Sequence, residues 1–267
     1  MTAPTTLRRH AAYVAGDKAR KPLALPADHP AAVEGRTKFP STVTDVIETP
    51  RLLIDGHNNR KIGRMVTKGP WKGMRIFTLT LEERATCPRT CHEWNSCMGN
   101  SMHWARRHRP LPGIEPVLKT ELRSLQEKFP EGFVVRLHVL GDFFDVAYVR
   151  FWEMCLGEFP ALHVFGYTAW PEDSGIGKRI AQVRDMRWNR FAVRTSVSEI
   201  PGPGPYATVT DSIGDAEEMR HAAVVCPVET GKTTCCGTCG LCWSPSMRDV
   251  GITFIRHGNA HQGRKAA

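Results

Sequence analysis

No run in this 267-residue chain approaches the roughly eighteen consecutive apolar residues that a membrane-spanning helix needs. The N-terminal stretch MTAPTTLRRHAAYVAGDKARK is basic and alanine-rich but has no apolar core of the kind a secretory signal carries. A cytoplasmic location is therefore expected. There is no G-x-G-x-x-G after the first predicted strand and no G-x-x-x-x-G-K-[ST] anywhere, which leaves a dinucleotide-binding or P-loop fold without sequence support. Internal repeats and coiled-coil heptads are also missing. Acidic charge is short: 27 Asp and Glu stand against 36 Lys and Arg, a net charge of +9. The basic excess gathers in LRRH, DKARK, NNRKIGRMVTKGPWKG and HWARRHRP. That sign favours a polyanionic partner, nucleic acid or a nucleotide first, because contacts to phosphates release counterions. A merely soluble basic surface is the plainer reading.

What is present alternates between two periods. Residues 1–40 are rich in Ala, Pro, Lys and Arg without a clear period and read as a basic, loosely ordered N-terminal arm. Strands are predicted at 74–81, 133–140, 162–170 and 191–198, with short ones at 223–226 and 251–258. Helices are predicted at 101–108, 115–129, 144–159, 175–186 and 215–222. In the second of these, Val117, Leu118, Leu122, Leu125 and Phe129 form one apolar stripe. EIPGPGPYAT (199–208) reads as a Gly/Pro loop. Alternation of this kind implies βαβ units and an α/β fold. The expectation is a partial (β/α) barrel of about six parallel strands over 41–221, with a cysteine-rich metal-binding segment and a last strand over 222–267.

Nine cysteines without an export signal point to metal binding or catalysis rather than disulfides. Cys155 stands alone in an amphipathic stretch and reads as a small core residue. VVCPVETGKTTCCGTCGLCWS contains Cys236, Cys239 and Cys242 at C-x2-C-x2-C spacing, with Cys226 followed by Pro227 upstream. Thiolates two residues apart in a tight turn reach one metal centre, and both [4Fe–4S] and Zn accept four cysteines. The spacing resembles ferredoxin-type ligation more than paired zinc knuckles. Cys235 is a spare or an alternative to Cys236, and His257 or His261 is a candidate replacement ligand for zinc. The other group, Cys87-x3-Cys91-x5-Cys97 in TCPRTCHEWNSC, directly follows the first predicted strand. In a parallel barrel this is the end where active sites are built. Three thiols leave one coordination position open to a substrate, a cofactor or water, unless His92 or His103 closes it as a structural site.

The predicted strand ends should line one mouth: His138, Gly141 and Asp142, then Tyr167 and Thr168, then Arg194 and Ser196. By the period of two, Arg136 and His138 share a strand face. Asp142 is a candidate ligand clamp, base or nucleophile, or alternatively the N-cap of the following helix. Arg194 is a candidate clamp for phosphate or carboxylate.

Taken together, TCPRTCHEWNSC, VRLHVLGDFFDVAYVRFW, HVFGYTAW and CPVETGKTTCCGTCGLCWS resemble a phage-associated "gene product 88" type family over roughly residues 70–257. That likeness implies a mobile-element setting. A second, architectural likeness is to the radical S-adenosylmethionine enzymes, whose usual C-x3-C-x2-C spacing is here C-x3-C-x5-C. It implies Cys87, Cys91 and Cys97 as ligands of a [4Fe–4S] cluster, Gly141 and Asp142 at an S-adenosylmethionine site, and the C-terminal cysteines as a second cluster. The expected function is an iron–sulfur enzyme acting on nucleic acid or a nucleotide, with Asp142, His138 and Arg194 as catalytic candidates. Gly141, Asp142, Tyr167, Thr168 and Ser196 are the cofactor-binding candidates. The alternatives are a zinc-bearing base-exchange barrel similar to the tRNA-guanine and DNA 7-deazaguanine transglycosylases, with Asp142 as nucleophile, or a metal-stabilised nucleic-acid-binding protein without activity.

Overall fold

The structure is a computed structural model that describes residues 24–49, 51–110, 113–219 and 223–256. His257 and His261 therefore lie outside the described residues. Among these residues, ten strands follow one another as β1 (Val43–Thr44), β2 (Ile54–Asp55), β3 (Arg75–Thr78), β4 (Arg107–His108), β5 (Phe133–Leu137), β6 (Leu162–Thr168), β7 (Phe191–Ser196), β8 (Tyr206–Thr210), β9 (Ala223–Val225) and β10 (Gly251–Ile255). Six α-helices are described: α1 (Pro30–Glu34), α2 (Ile114–Lys128), α3 (Val146–Glu158), α4 (Gly175–Arg187), α5 (Ile213–Glu218) and α6 (Cys236–Cys239).

Eight strands form one sheet in the order β2-β3-β5-β6-β7-β8-β10-β9, and only the β2–β3 pair is antiparallel. From β3 to β8 the order advances with the sequence, so successive crossovers put α2, α3 and α4 on one face. β10 then inserts between β8 and β9. The end strands β2 and β9 do not pair with each other, so the strand pairing establishes an open, mostly parallel α/β sheet. β1 and β4 form a separate parallel pair.

Two expectations are corrected. Residues 101–108, expected as a helix, instead follow a 3-10 turn (Met98–Ser101) and end in β4. Arg107 and His108 become extended because pairing with β1 and burial of their side chains outweigh local propensity. The Gly/Pro loop gives way at Tyr206 to β8, whose YATVT run is β-prone and pairs on both sides.

A parallel sheet needs cover on both faces. On one face Phe133, Val135, Leu137, Val164, Phe191 and Val193 pack against helix residues such as Leu118, Trp152 and Ile180. Alternation turns Ile76, Val134, Phe165, Ala192 and Ile252 to the other face, under Trp71, Trp243, Cys226, Cys239 and Cys242. Trp71 and Trp243 stack there at 5.2 Å. The cysteine-rich segment is thus part of the core. It is knitted to the 61–67 loop by Cys236 N to Lys61 O (2.8 Å) and Gly237 N to Ile62 O (3.0 Å). Gly237 has to be glycine, since a Cβ would lie 2.2 Å from Met65 O.

Candidate metal centres

Cys226 follows β9, Cys236 and Cys239 belong to α6, and Cys242 sits in the 3-10 turn after it. The turn between them is possible because Gly240 adopts φ 74°. All four thiols line one small cavity with Val228, Leu241, Trp243, Ile252 and Phe254. Cys235 does not line it. That residue is the N-cap of α6, its Sγ 3.6 Å from Thr238 Oγ1. Burial pushes Cys226 up to about 12 and raises Cys236 and Cys239 above the usual thiol value. A metal bound there would have to displace thiol protons.

Cationic groups flank this cavity. Lys61 pairs with buried Glu229; burial works against its charge, but Glu229 and the sulfurs of Cys226 and Cys236 hold its pKa above the ordinary lysine value. Arg136 lies over the rings of Tyr167 (4.7 Å) and Phe165 (5.5 Å). The Tyr167 hydroxyl donates to Cys242 Sγ at 2.8 Å.

The loop bearing Cys87, Cys91 and Cys97 is built differently. Its cysteine residues are half-buried, with their thiols turned inward. Short turns shape it, with Cys91 N donating to Pro88 O (3.0 Å) and Trp94 N to Cys91 O (2.9 Å). Behind it lies a charged scaffold that the sequence pattern did not reveal. Glu83 and Arg107, both fully buried, pair through two bonds of 2.5 and 3.1 Å. Buried Arg84, at φ 63°, donates to Trp94 O and Asn100 Oδ1. Residues 24–40 wrap the same loop: Arg36 Nε donates to Glu82, Thr37 Oγ1 to Glu83, and Trp94 Nε1 to Ala32 O. The only hint in the sequence was LEER, three charges between a strand and a cysteine.

Asp142 lies close enough to Cys87 and Cys91 for its charge to act on both thiols. Burial holds its carboxyl up at about 7, against the opposing bonds from Ala169 N and Phe143 N, each 2.7 Å. Burial also raises the three thiols, Cys91 to about 12 and Cys97 to about 11, and the carboxylate lifts Cys87 and Cys91 further. Asp142 is not the helix cap. Asp145 is, accepting from Tyr148 N at 2.6 Å. Gly141, at φ 80°, gives the root of the loop room to approach, since a Cβ would lie 2.6 Å from Thr86 Oγ1. Thr168 bonds the Asp142 carboxylate.

The remaining strand-end candidates are not drawn into this group. β5 ends at Leu137, so the alternation that paired His138 with Arg136 no longer applies. His138 is buried on the helix side against Phe143 and Tyr148, Nε2 3.2 Å from the Tyr148 hydroxyl. Arg194 is no ligand clamp in this arrangement. Its guanidinium donates to the carbonyls of Cys242 (3.0 Å), Met247 (2.6 Å) and Val250 (2.9 Å), pinning the cysteine-rich segment to the sheet. Ser196 is half-buried in β7, opposite Ala207. His92 is exposed, and His103 packs edge-on to Trp104 at 4.7 Å. Among the described residues, no three His, Cys, Asp or Glu side chains stand as a ready-made site for a single metal ion.

No protein-family model, curated protein or solved structure matches the chain. No helix among the described residues is long and apolar enough to cross a membrane.

Proposed function

We propose that this chain is an iron–sulfur enzyme acting on a nucleic acid or nucleotide. Its structural cluster would be held by Cys226, Cys236, Cys239 and Cys242, and its reactive end by Cys87, Cys91 and Cys97. The observation that carries this reading is that four cysteines, from the end of β9, from α6 and from the turn after it, line one apolar cavity flanked by Lys61 and Arg136. Ligands spread round a cavity suit a polynuclear cluster, whose separate irons each take one thiolate, better than a single ion at a point. Buried cations there offset the negative charge of an all-thiolate centre. A sheet whose parallel strands advance in chain order from β3 to β8 also suits a partial barrel of the radical S-adenosylmethionine type. The likeness to the phage-associated family gives a mobile-element setting.

A [4Fe–4S] cluster with S-adenosylmethionine supplies one-electron chemistry. The protein's own part is to hold three thiols in a stiff loop with Asp142 behind them. With its pKa near neutrality, that carboxyl can keep or release a proton at Oδ as charge at the loop changes. The zinc base-exchange alternative needs Asp142 as a free nucleophile, whereas both of its oxygens accept backbone bonds. Anaerobically purified protein should carry iron and acid-labile sulfide in a roughly 1:1 ratio, with absorbance near 400 nm. Cys236→Ala should lower both. A colourless protein containing only zinc would overturn the cluster reading.

The polyanion half of the reading has a surface to support it. Trp104 is 69% exposed, His103 packs against it, Arg106 is exposed two residues further on, and exposed Lys38 lies over Phe39, whose ring meets His103 at 6.2 Å. Open aromatic faces beside cations are what single-stranded nucleic acid stacks on. Trp104→Ala should weaken single-stranded oligonucleotide binding about tenfold in fluorescence anisotropy. Arg106→Gln should reduce the salt slope by about one. Binding unchanged in both variants would remove this surface from the proposal.

A further inference from the structure

Arg136 poses an electrostatic problem. It sits on β5 facing the cysteine-rich segment, and burial lowers its pKa below the ordinary arginine value. Its guanidinium donates to the Leu137 carbonyl and otherwise lies over the Tyr167 and Phe165 rings. Among the described residues no carboxylate stands within ion-pairing distance of it. An enclosed cation needs compensating negative charge. The sulfurs of Cys236 and Cys242, as metal-bound thiolates, would supply it, with Asp142 a weaker contributor; neutral Tyr167 offers only the electron-rich face of its ring.

Tyr167 connects this cation to the metal ligands. Its ring is held by Arg136 on one face and by Phe254 edge-on at 5.3 Å. That clamp aims the hydroxyl at Cys242 Sγ, 2.8 Å away. A phenol carries its proton at neutral pH, so the O–H is the donor and the sulfur the acceptor. An O–H bond to sulfur strengthens when the sulfur is a metal-bound thiolate, because charge-assisted bonds are roughly twice as strong as neutral ones. The neighbouring cation polarises the phenol in the same direction.

We propose that Tyr167, braced by Arg136, is the positioning residue of the four-cysteine centre: its hydroxyl orients Cys242 and stabilises negative charge on that sulfur. This rests on the reading of Cys226, Cys236, Cys239 and Cys242 as one metal centre. Outer partners of metal ligands typically contribute a factor of about 10 to 100 in metal affinity. For a redox-active centre, a donor to a ligand sulfur favours the more negative, reduced state and so raises the potential.

The test uses the full chain, purified anaerobically, as wild type, Tyr167→Phe, Arg136→Gln and Cys242→Ser. Metal content is measured first, then metal affinity by competition with a chelator, then the midpoint potential by an EPR-monitored redox titration. Tyr167→Phe should fold and load metal as wild type does, because only one oxygen is lost. Its affinity should fall roughly 10- to 100-fold. At a fixed potential its reduced-to-oxidised ratio should fall about tenfold, which is a 59 mV downward shift for one electron. Arg136→Gln should shift the potential the same way. A Tyr167→Phe protein equal to wild type in affinity and potential, beside a Cys242→Ser protein that loses metal, overturns the positioning role alone. Full metal retention by Cys242→Ser overturns the four-cysteine centre and this inference with it.

Discussion

Arg107→Met should lower the stability of the protein by about 3–5 kcal/mol, the usual cost of leaving one member of a buried ion pair uncompensated. Glu83 and Arg107 are both fully buried, and water cannot replace the missing partner. The loss goes beyond the pair. Arg107 also donates to Thr42 Oγ1 (2.9 Å), Met102 O (3.1 Å), Ala105 O (2.6 Å) and Gly99 O (3.1 Å), so methionine orphans several buried acceptors at once. Glu83→Gln should cost less, because its amide oxygen can still accept from Arg107 and Thr37. A urea titration reads both as midpoint shifts. Hydrogen exchange should show the Arg107→Met loss concentrated in 97–106, where three of those acceptors, Gly99, Met102 and Ala105, lie. Equal midpoints for wild type and Arg107→Met would mean that the charged scaffold does not hold the loop.

That scaffold marks the limit of what the sequence discloses. Long elements were legible because each carries its own period. The apolar stripe from Val117 to Phe129 became α2, and GIGKRIAQVRDM became α4 after the Ser174 cap. The runs at 133–137 and 162–168 became neighbouring strands. Glu83 and Arg107 are 24 residues apart, and composition cannot tell a buried charge from a solvated one. Arg194 was legible as a strand-end residue but not in its role. Its acceptors, 48 to 56 residues further along, exist only once the cysteine-rich segment folds back over the sheet. His138 fails for a smaller reason: the strand stops one residue before it. The cysteine spacing was the most informative local signal, and it placed Cys236 rather than Cys235 beside Cys226, Cys239 and Cys242 only once the α6 turn was in view.

The two cysteine groups differ in how they depend on the fold. The four C-terminal thiols lie in the core beneath Trp243 and cover one face of the sheet, so their geometry is coupled to folding. The loop at Cys87–Cys97 is partly exposed and held from behind by charge and by residues 24–40. Charged side chains thus back the first group, while the second is walled by Trp243 and Phe254 with Lys61 and Arg136 at its flank.

Replacing both His108 and His138 should raise acid stability relative to wild type by about 5 kcal/mol on going from pH 6.5 to pH 4.5. Burial, reinforced by Arg106, holds His108 down at about 4; burial, reinforced by Arg136, holds His138 down at about 3. The unfolded chain takes up protons at both near pH 6.5, while the folded chain refuses them. Stability is therefore lost as pH falls below 6.5, at about 1.4 kcal/mol per pH unit for each histidine. Asp142 works in the opposite direction. Its raised carboxyl keeps a proton that the unfolded chain releases, so it gains stability as pH falls from 7 toward 4 and offsets one of the two histidines. His138→Phe is the cleaner substitution, because Nδ1 has no partner and the ring already packs among Phe143 and Tyr148. His108→Gln keeps a polar group near Thr44, whose hydroxyl lies 3.4 Å from the histidine Nδ1. Urea midpoints across pH 7 to 4.5 give the slopes. In wild type, histidine protonation should outweigh Asp142; in the double variant the slope should reverse, with stability rising on acidification. A double variant that tracks wild type across this range would show that neither histidine is neutral because of the fold.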